Sequence, residues 1–186
     1  RSMAIKMEKP TNHPTDIFYK LAKEITSAYV FMILVVYPFY FQNKYYNIGN
    51  AKWKFFSMLT LISGSVLIAL VILNSLFLWH KHELRGYVQN IRLSALDKFM
   101  LAYLAVVSFS TLLSPYKNQV IWGTDGWHMG FIAQICFVLI YYFVSRYWKW
   151  DTPAVILYLA AAFLVFLLAV LMRFRIDPLG LYNGLE

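Results

Sequence analysis

The sequence predicts an all-α fold, a polytopic transmembrane bundle of about five helices, and three observations predict it. Of 186 residues, 60% are hydrophobic and only 14% charged, against roughly 25% charged in a water-soluble domain. The apolar residues fall in long runs broken by short segments rich in Lys, Arg, Pro, Gly and Asn. Aromatic residues gather at the ends of these runs: Tyr45, Tyr46 and Trp53, then Trp79, then Tyr116, Trp122 and Trp127, then Tyr147, Trp148 and Trp150. A ring with one polar handle suits the membrane–water interface.

A helix crosses the hydrocarbon core with about 20 residues. After a polar segment at 1–24, expected to be cytoplasmic, the first span covers 25–41, with Pro38 near its end and Asn43 and Lys44 stopping it. No small-residue cleavage site follows, so this span is expected to be a retained anchor. The second, 55–79, is long enough to tilt, and Ser63, Gly64 and Ser65 near its middle would admit a neighbouring helix closely. The third, 99–113, is the shortest; Asp97 and Lys98 precede it and Ser114-Pro115 ends it. The fourth covers 129–147 and the fifth 154–172, with Asp151 or Thr152 as cap and Pro153 in the first turn. Their short link predicts an antiparallel hairpin. The remaining 173–186 form an expected outward tail. The chain starts Arg-Ser-Met and stops at Leu-Tyr-Asn-Gly-Leu-Glu, and is expected to be a piece of something longer.

Lys and Arg in short loops set orientation. Arg1, Lys6, Lys9, Lys20, Lys23, Lys81, Arg85, Arg92, Lys98, Arg146 and Lys149 fall on the N-terminal side, eleven against the six of Lys44, Lys52, Lys54, Lys117, Arg173 and Arg175. The bias predicts a cytoplasmic N-terminus, with 42–54, 114–128 and the tail outward. The net charge of +8 thus reflects topology, and no nucleic-acid partner is expected.

Chemistry-bearing residues are few. The single Cys136 provides no disulfide framework and no thiol cluster. No ionisable residue lies well inside a run, which argues against a self-sufficient pump. Asn74 and Gln134 are read as interhelical hydrogen-bonding groups. His80 and His82 beside Glu83 supply neither the ligand number nor the geometry of a metal site, and read as a solvated loop. No metal or cofactor is expected. Gly126 and Gly130 straddle a helix start, so their spacing reads as a turn.

The informative stretch is Ser114-Pro115-Tyr116-Lys117-Asn118-Gln119-Val120-Ile121-Trp122-Gly123-Thr124-Asp125-Gly126-Trp127-His128-Met129-Gly130. It mixes aromatic rings with hydrogen-bonding groups. Such a surface holds sugars, whose C–H faces pack on rings while hydroxyls bond Asp, Asn and His; it equally suits an interfacial loop anchored by Trp.

Ser114-Pro115, the stretch Trp122-Gly123 to Met129-Gly130, the apolar helix after it and Arg173-Phe174-Arg175-Ile176-Asp177-Pro178-Leu179-Gly180-Leu181-Tyr182 together resemble the N-terminal half of the bacterial O-antigen ligase and polymerase family, over about residues 97–182. Family members typically show a Ser-Pro after an early helix, a Gly-x-x-x-x-x-x-Gly stretch opening the next, and an Asp-Pro-Leu-Gly element later. Where the family often has an Arg-aromatic pair before the second Gly, this chain has Trp127-His128.

The resemblance implies a metal-independent, inverting glycosyltransferase of the cell envelope, active in polysaccharide biosynthesis. It would move glycan from undecaprenyl diphosphate on the outer face of the bacterial cytoplasmic membrane. The implied partners are membrane lipid, the carrier-linked glycan and other envelope-biosynthesis proteins. The Arg and His residues credited with the family's chemistry lie on a large outward loop far toward its C-terminus, so no catalytic residue is assigned here. The substrate-binding candidates are Trp122, Asp125, Trp127 and His128 for glycan, and Arg173 and Arg175 for diphosphate, whose oxygens match guanidinium forks. Snorkelling at the membrane edge is the other reading of the two arginines. The alternative function is a non-catalytic accessory or scaffold, and a transporter fragment is less attractive without intramembrane charge.

Overall fold

In hydrocarbon, backbone N–H and C=O groups have to be satisfied within the protein, which leaves helices as the economical solution for spans of this composition. The computed structural model describes residues 14–42, 47–86, 93–124, 126–149 and 151–180, and no strand occurs among them. The first span is α1 (Pro14–Phe31), continued by a π-helical turn (Met32–Val36) and a 3₁₀ turn (Tyr37–Phe39). Then follow α2 (Ile48–His80), α3 (Ala95–Leu113), the short α4 (Lys117–Trp122), α5 (Phe131–Tyr147) and α6 (Thr152–Arg173). Four helical stretches, Asp16–Phe39, Ile48–His80, Ala95–Leu113 and Thr152–Arg173, are long and apolar enough to cross a membrane, and Phe131–Tyr147 is a shorter apolar helix. The chain is a multi-pass membrane protein with an all-helical bundle of about five spans.

Several helices outrun the apolar windows that predict them. The first starts at Pro14 rather than residue 25, α2 at Ile48 rather than 55, and α3 at Ala95 rather than 99. Hydropathy reports the part of a helix that lies in lipid, whereas backbone hydrogen bonding continues into the interface. Capping explains the third case. Ser94 Oγ accepts from Asp97 N at 3.1 Å while Ser94 N donates to Asp97 Oδ2 at 2.9 Å, a reciprocal capping box.

Antiparallel succession brings the start of α1, the end of α2, the start of α3, the end of α5 and the start of α6 to one end, here the near end. Phe18 and Phe77 meet there at 6.5 Å between ring centroids, and Tyr19 and Tyr147 at 5.7 Å. The core lies between α1, α2 and α5. Tyr29 and Thr60 share a buried hydrogen bond of 2.9 Å across α1 and α2. Gly64 faces α5 so closely that an added Cβ would lie 3.2 Å from Leu139 Cδ1, the close approach that the Ser63-Gly64-Ser65 cluster predicts. Leu67, Ala133 and Cys136 fill the remaining centre.

Outer helices attach by polar links. α3 docks on α5 through Tyr103 Oη, which donates to Gln134 Oε1 at 2.6 Å. At the near end Asp97 Oδ1 accepts from Tyr141 Oη at 3.0 Å, and Asp97 Oδ2 pairs with Arg146 at 3.4 Å. Asn74 behaves differently from its expectation: it lines a cavity of about 130 Å³, and its buried Oδ1 has no hydrogen-bond partner among the described residues.

The last two helices do not pack as the predicted hairpin. α6 meets the π and 3₁₀ turns of the first span instead of α5. Extended backbone at Trp148 (φ −97°, ψ 138°) and Asp151 (φ −125°, ψ 139°) carries the chain away from α5 before α6 begins. The π turn has a local cause, since Pro38 has no N–H to give and the helix adjusts its register just before it, with Tyr37 N donating to Met32 O five residues back.

Two helices stop in the same way. Glu83 N donates to Leu78 O at 2.9 Å and His82 N to Trp79 O at 3.0 Å. Ile176 N donates to Leu171 O and Arg175 N to Met172 O, both at 3.0 Å. This is the paired bonding of a Schellman stop, with His82 (φ 60°) and Arg175 (φ 62°) at the left-handed position usually given to glycine.

Candidate functional site

The far end of the bundle, opposite the start of α1, carries the stretch between α3 and α5. Ser114 ends α3, and its Oγ accepts from Tyr116 N at 3.2 Å. Lys117, the first residue of α4, folds back so that Nζ donates to Thr111 O at 3.2 Å and to Leu112 O, occupying carbonyls that the end of α3 leaves open. Gly123 (φ 84°) then terminates α4, its N–H bonded to Gln119 O at 2.8 Å.

The backbone on the two sides of residue 125 folds together. Thr124 O accepts from Trp127 N at 3.1 Å and from His128 N at 3.0 Å. The backbones of Gly123 and Gly130 cross in contact. A Cβ at Gly130 would collide with Gly123 N and lie 2.5 Å from Ile121 O, and one at Gly123 would lie 2.7 Å from His128 C. Glycine is therefore required at both ends of the seven-residue step for a steric reason.

The closed loop leans on the first turns of α2. His128 (φ 46°) stacks on Trp53 with ring centroids 5.5 Å apart and 5° between planes. Its Nε2 is hydrogen-bonded to Asn50 Oδ1, and Asn50 Nδ2 in turn donates to Asn47 Oδ1. An amide oxygen only accepts, so Nε2 is the donor in this bond. Asn47, Asn50 and His128 form a polar chain beside an aromatic wall, which is chemistry for orienting a hydroxyl.

Of the sequence candidates, Trp122 and Trp127 are 59% and 80% exposed, and His128 is half-buried. Asp125 lies outside the described residues. Arg173 and Arg175 are exposed at the same end but on the opposite flank, because α6 packs on the first span while α4 packs on α3 and α5. Near them Pro38, Lys52, Met172, Asp177 and Pro178 line a separate cavity of about 210 Å³. Asn50 and Trp53 are the partners that composition did not reveal. Their spacing of three residues places both on one face of α2, a signal readable in retrospect. Among the described residues no three His, Cys, Asp or Glu side chains gather to hold a metal ion. Comparison with known proteins returned no matching family model, no matching curated protein and no matching solved structure.

Proposed function

We propose that the chain is the N-terminal part of a bacterial cell-surface polysaccharide ligase or polymerase of the cytoplasmic membrane. Its N-terminus faces the cytoplasm, and its far-end loop contacts glycan carried on undecaprenyl diphosphate at the outer face. One observation supports this reading most. The crossing of Gly123 and Gly130 turns a stretch rich in hydrogen-bonding and aromatic residues into a shaped surface, in which His128 is held by Trp53 and Asn50 and the Trp122 and Trp127 rings are exposed. Such a surface can stack on sugar faces while the imidazole Nδ1 hydrogen-bonds a hydroxyl. The role is binding and positioning. Arg173 and Arg175 stand apart from it, so a diphosphate held by them would belong to the other flank.

The test has two arms in living cells that make a surface polysaccharide. Cysteines at Asn118 and Thr124, in a Cys136→Ala background, should react with an impermeant maleimide before lysis. A photoreactive residue at position 127 should capture a polyprenyl-diphosphate glycan identifiable by mass, whereas one at position 163 on α6 should not. Protection of both cysteines until lysis would invert the topology and end the proposal, as would equal capture at the two positions.

A second reading, a non-catalytic scaffold, is favoured by α6, where Ile156, Leu159, Phe163 and Phe166 are all more than half exposed. It predicts stoichiometric co-purification with an envelope-biosynthesis protein and loss of that partner when Phe163 and Phe166 are changed to Ala.

A further inference from the structure

α6 makes its main contacts with the first span along residues 32–39, and toward the near end a cleft lies between α1 and the start of α6. Its volume is about 540 Å³, and a contiguous apolar recess of about 320 Å³ extends it between α1 and α5. Each lies within the roughly 300–1,000 Å³ of ligand sites. The two share Val30, Leu34, Trp148 and Tyr158 as lining residues, so the polar mouth and the apolar recess adjoin.

The chemistry changes along its length. At the mouth, Lys23 from α1 and Lys149 from the α5–α6 link are both exposed, and Asp151 is the one acidic side chain among the described lining residues. That leaves a net positive mouth, reinforced by the first turn of α6 at Pro153 and Ala154, where the helix dipole is positive. The face of α1 behind Lys23 runs through Ser27 and Val30 to Leu34, at helical spacing, from polar to wholly apolar. Trp148 and Tyr158 stand where the two regimes meet, as rings do at a membrane interface.

We infer that this near-end cleft binds one anionic glycerophospholipid, its phosphate between Lys23 and Lys149 and an acyl chain in the recess along Val30 and Leu34. A soluble anion would satisfy the mouth and leave the recess unfilled, and a neutral lipid would fill the recess and leave the lysines unpaired. A phospholipid bearing net negative charge satisfies both. The site is independent of the far-end loop and of the glycan reading.

The test uses the whole chain purified in a non-ionic detergent and exchanged into nanodiscs of phosphatidylcholine, with or without phosphatidylglycerol. Native mass spectrometry should show one phosphatidylglycerol retained per chain in preference to phosphatidylcholine, and phosphatidylglycerol should raise the thermal midpoint. Lys23→Gln with Lys149→Gln should weaken retention by about thirtyfold, two lysines' worth of attraction to an anionic lipid. Lys23→Arg with Lys149→Arg should keep it. Lys81→Gln with Arg85→Gln removes the same charge from the same membrane face without touching the cleft, and should change retention less than threefold. A Leu157→Trp variant, which occupies the apolar side, should lose retention while keeping its helical circular dichroism. Equal retention of the two lipids, equal loss in the Lys81 and Arg85 variant, or full stabilisation by inorganic phosphate alone would each overturn the inference.

Discussion

Gly130 shows how much one missing Cβ decides at the residue scale. Alanine there would drive a methyl into Gly123 N and Ile121 O, and neither backbone can move without opening the loop. We expect Gly130→Ala to destabilise by about 3 kcal/mol and to release the stacking of His128 on Trp53, read as a lower thermal midpoint together with faster maleimide labelling at position 124. Gly126→Ala, with open space around its Cβ but φ at 89°, should cost only about 1 kcal/mol. Arg175 is the converse case, a side chain kept at a left-handed position where glycine is the easier residue. Arg175→Gly should raise stability by about 0.5–1 kcal/mol. If the arginine also holds a diphosphate, the same change should abolish capture of the lipid-linked glycan while the protein becomes more heat-resistant, a separation that mere snorkelling does not produce.

Asp97 does at the element scale what apolar packing does elsewhere. It caps α3 through Ser94 and binds α5 through Tyr141 and Arg146; Tyr142 Oη adds a bond of 2.9 Å to the Asp97 carbonyl. Lipid tails are as apolar as the helix faces, so helices in a bilayer gain little from hydrophobic contact and rely on such links and on close packing. Ser94→Ala removes the cap alone and should cost about 1 kcal/mol. Asp97→Ala should lower the thermal midpoint further. Tyr141→Phe should lower it in the native background and leave it nearly unchanged on top of Asp97→Ala, the non-additivity of a shared link. Equal, additive shifts would show that the contacts are incidental. The first span carries the other element-level device. Its π turn ahead of Pro38 receives α6, and the cleft lies beside that contact.

Taken whole, the molecule is a bundle whose long helices, α4 aside, differ in length by nearly a factor of two, from 17 residues in α5 to 33 in α2. At 1.5 Å per residue α2 extends about 50 Å, well beyond the roughly 30 Å hydrocarbon core, so its first turns stand at the far-end interface, where Asn50 and Trp53 meet His128. An odd number of spans puts Glu24 and Ile176 at opposite ends. Cysteines placed singly at these two positions, again with Cys136→Ala, should therefore give opposite results with an impermeant maleimide in intact cells, and identical labelling would mean that one span does not cross. By itself the sequence determined the fold class, because a chain with so little charge and such long apolar runs can satisfy its backbone in lipid only as helices. It also pointed to the close approach at Gly64, since small residues let a neighbouring helix come near. The partners of those helices were decided by tertiary structure alone: the departure of α6 from α5 to the π turn, the Asp97 junction, the pairing of His128 with Asn50, and the cleft between α1 and α6. In lipid an apolar face is equally content against any neighbour, so hydropathy is silent about which helices meet, and the choice falls to small residues, a few polar bonds and the direction in which short links send the chain.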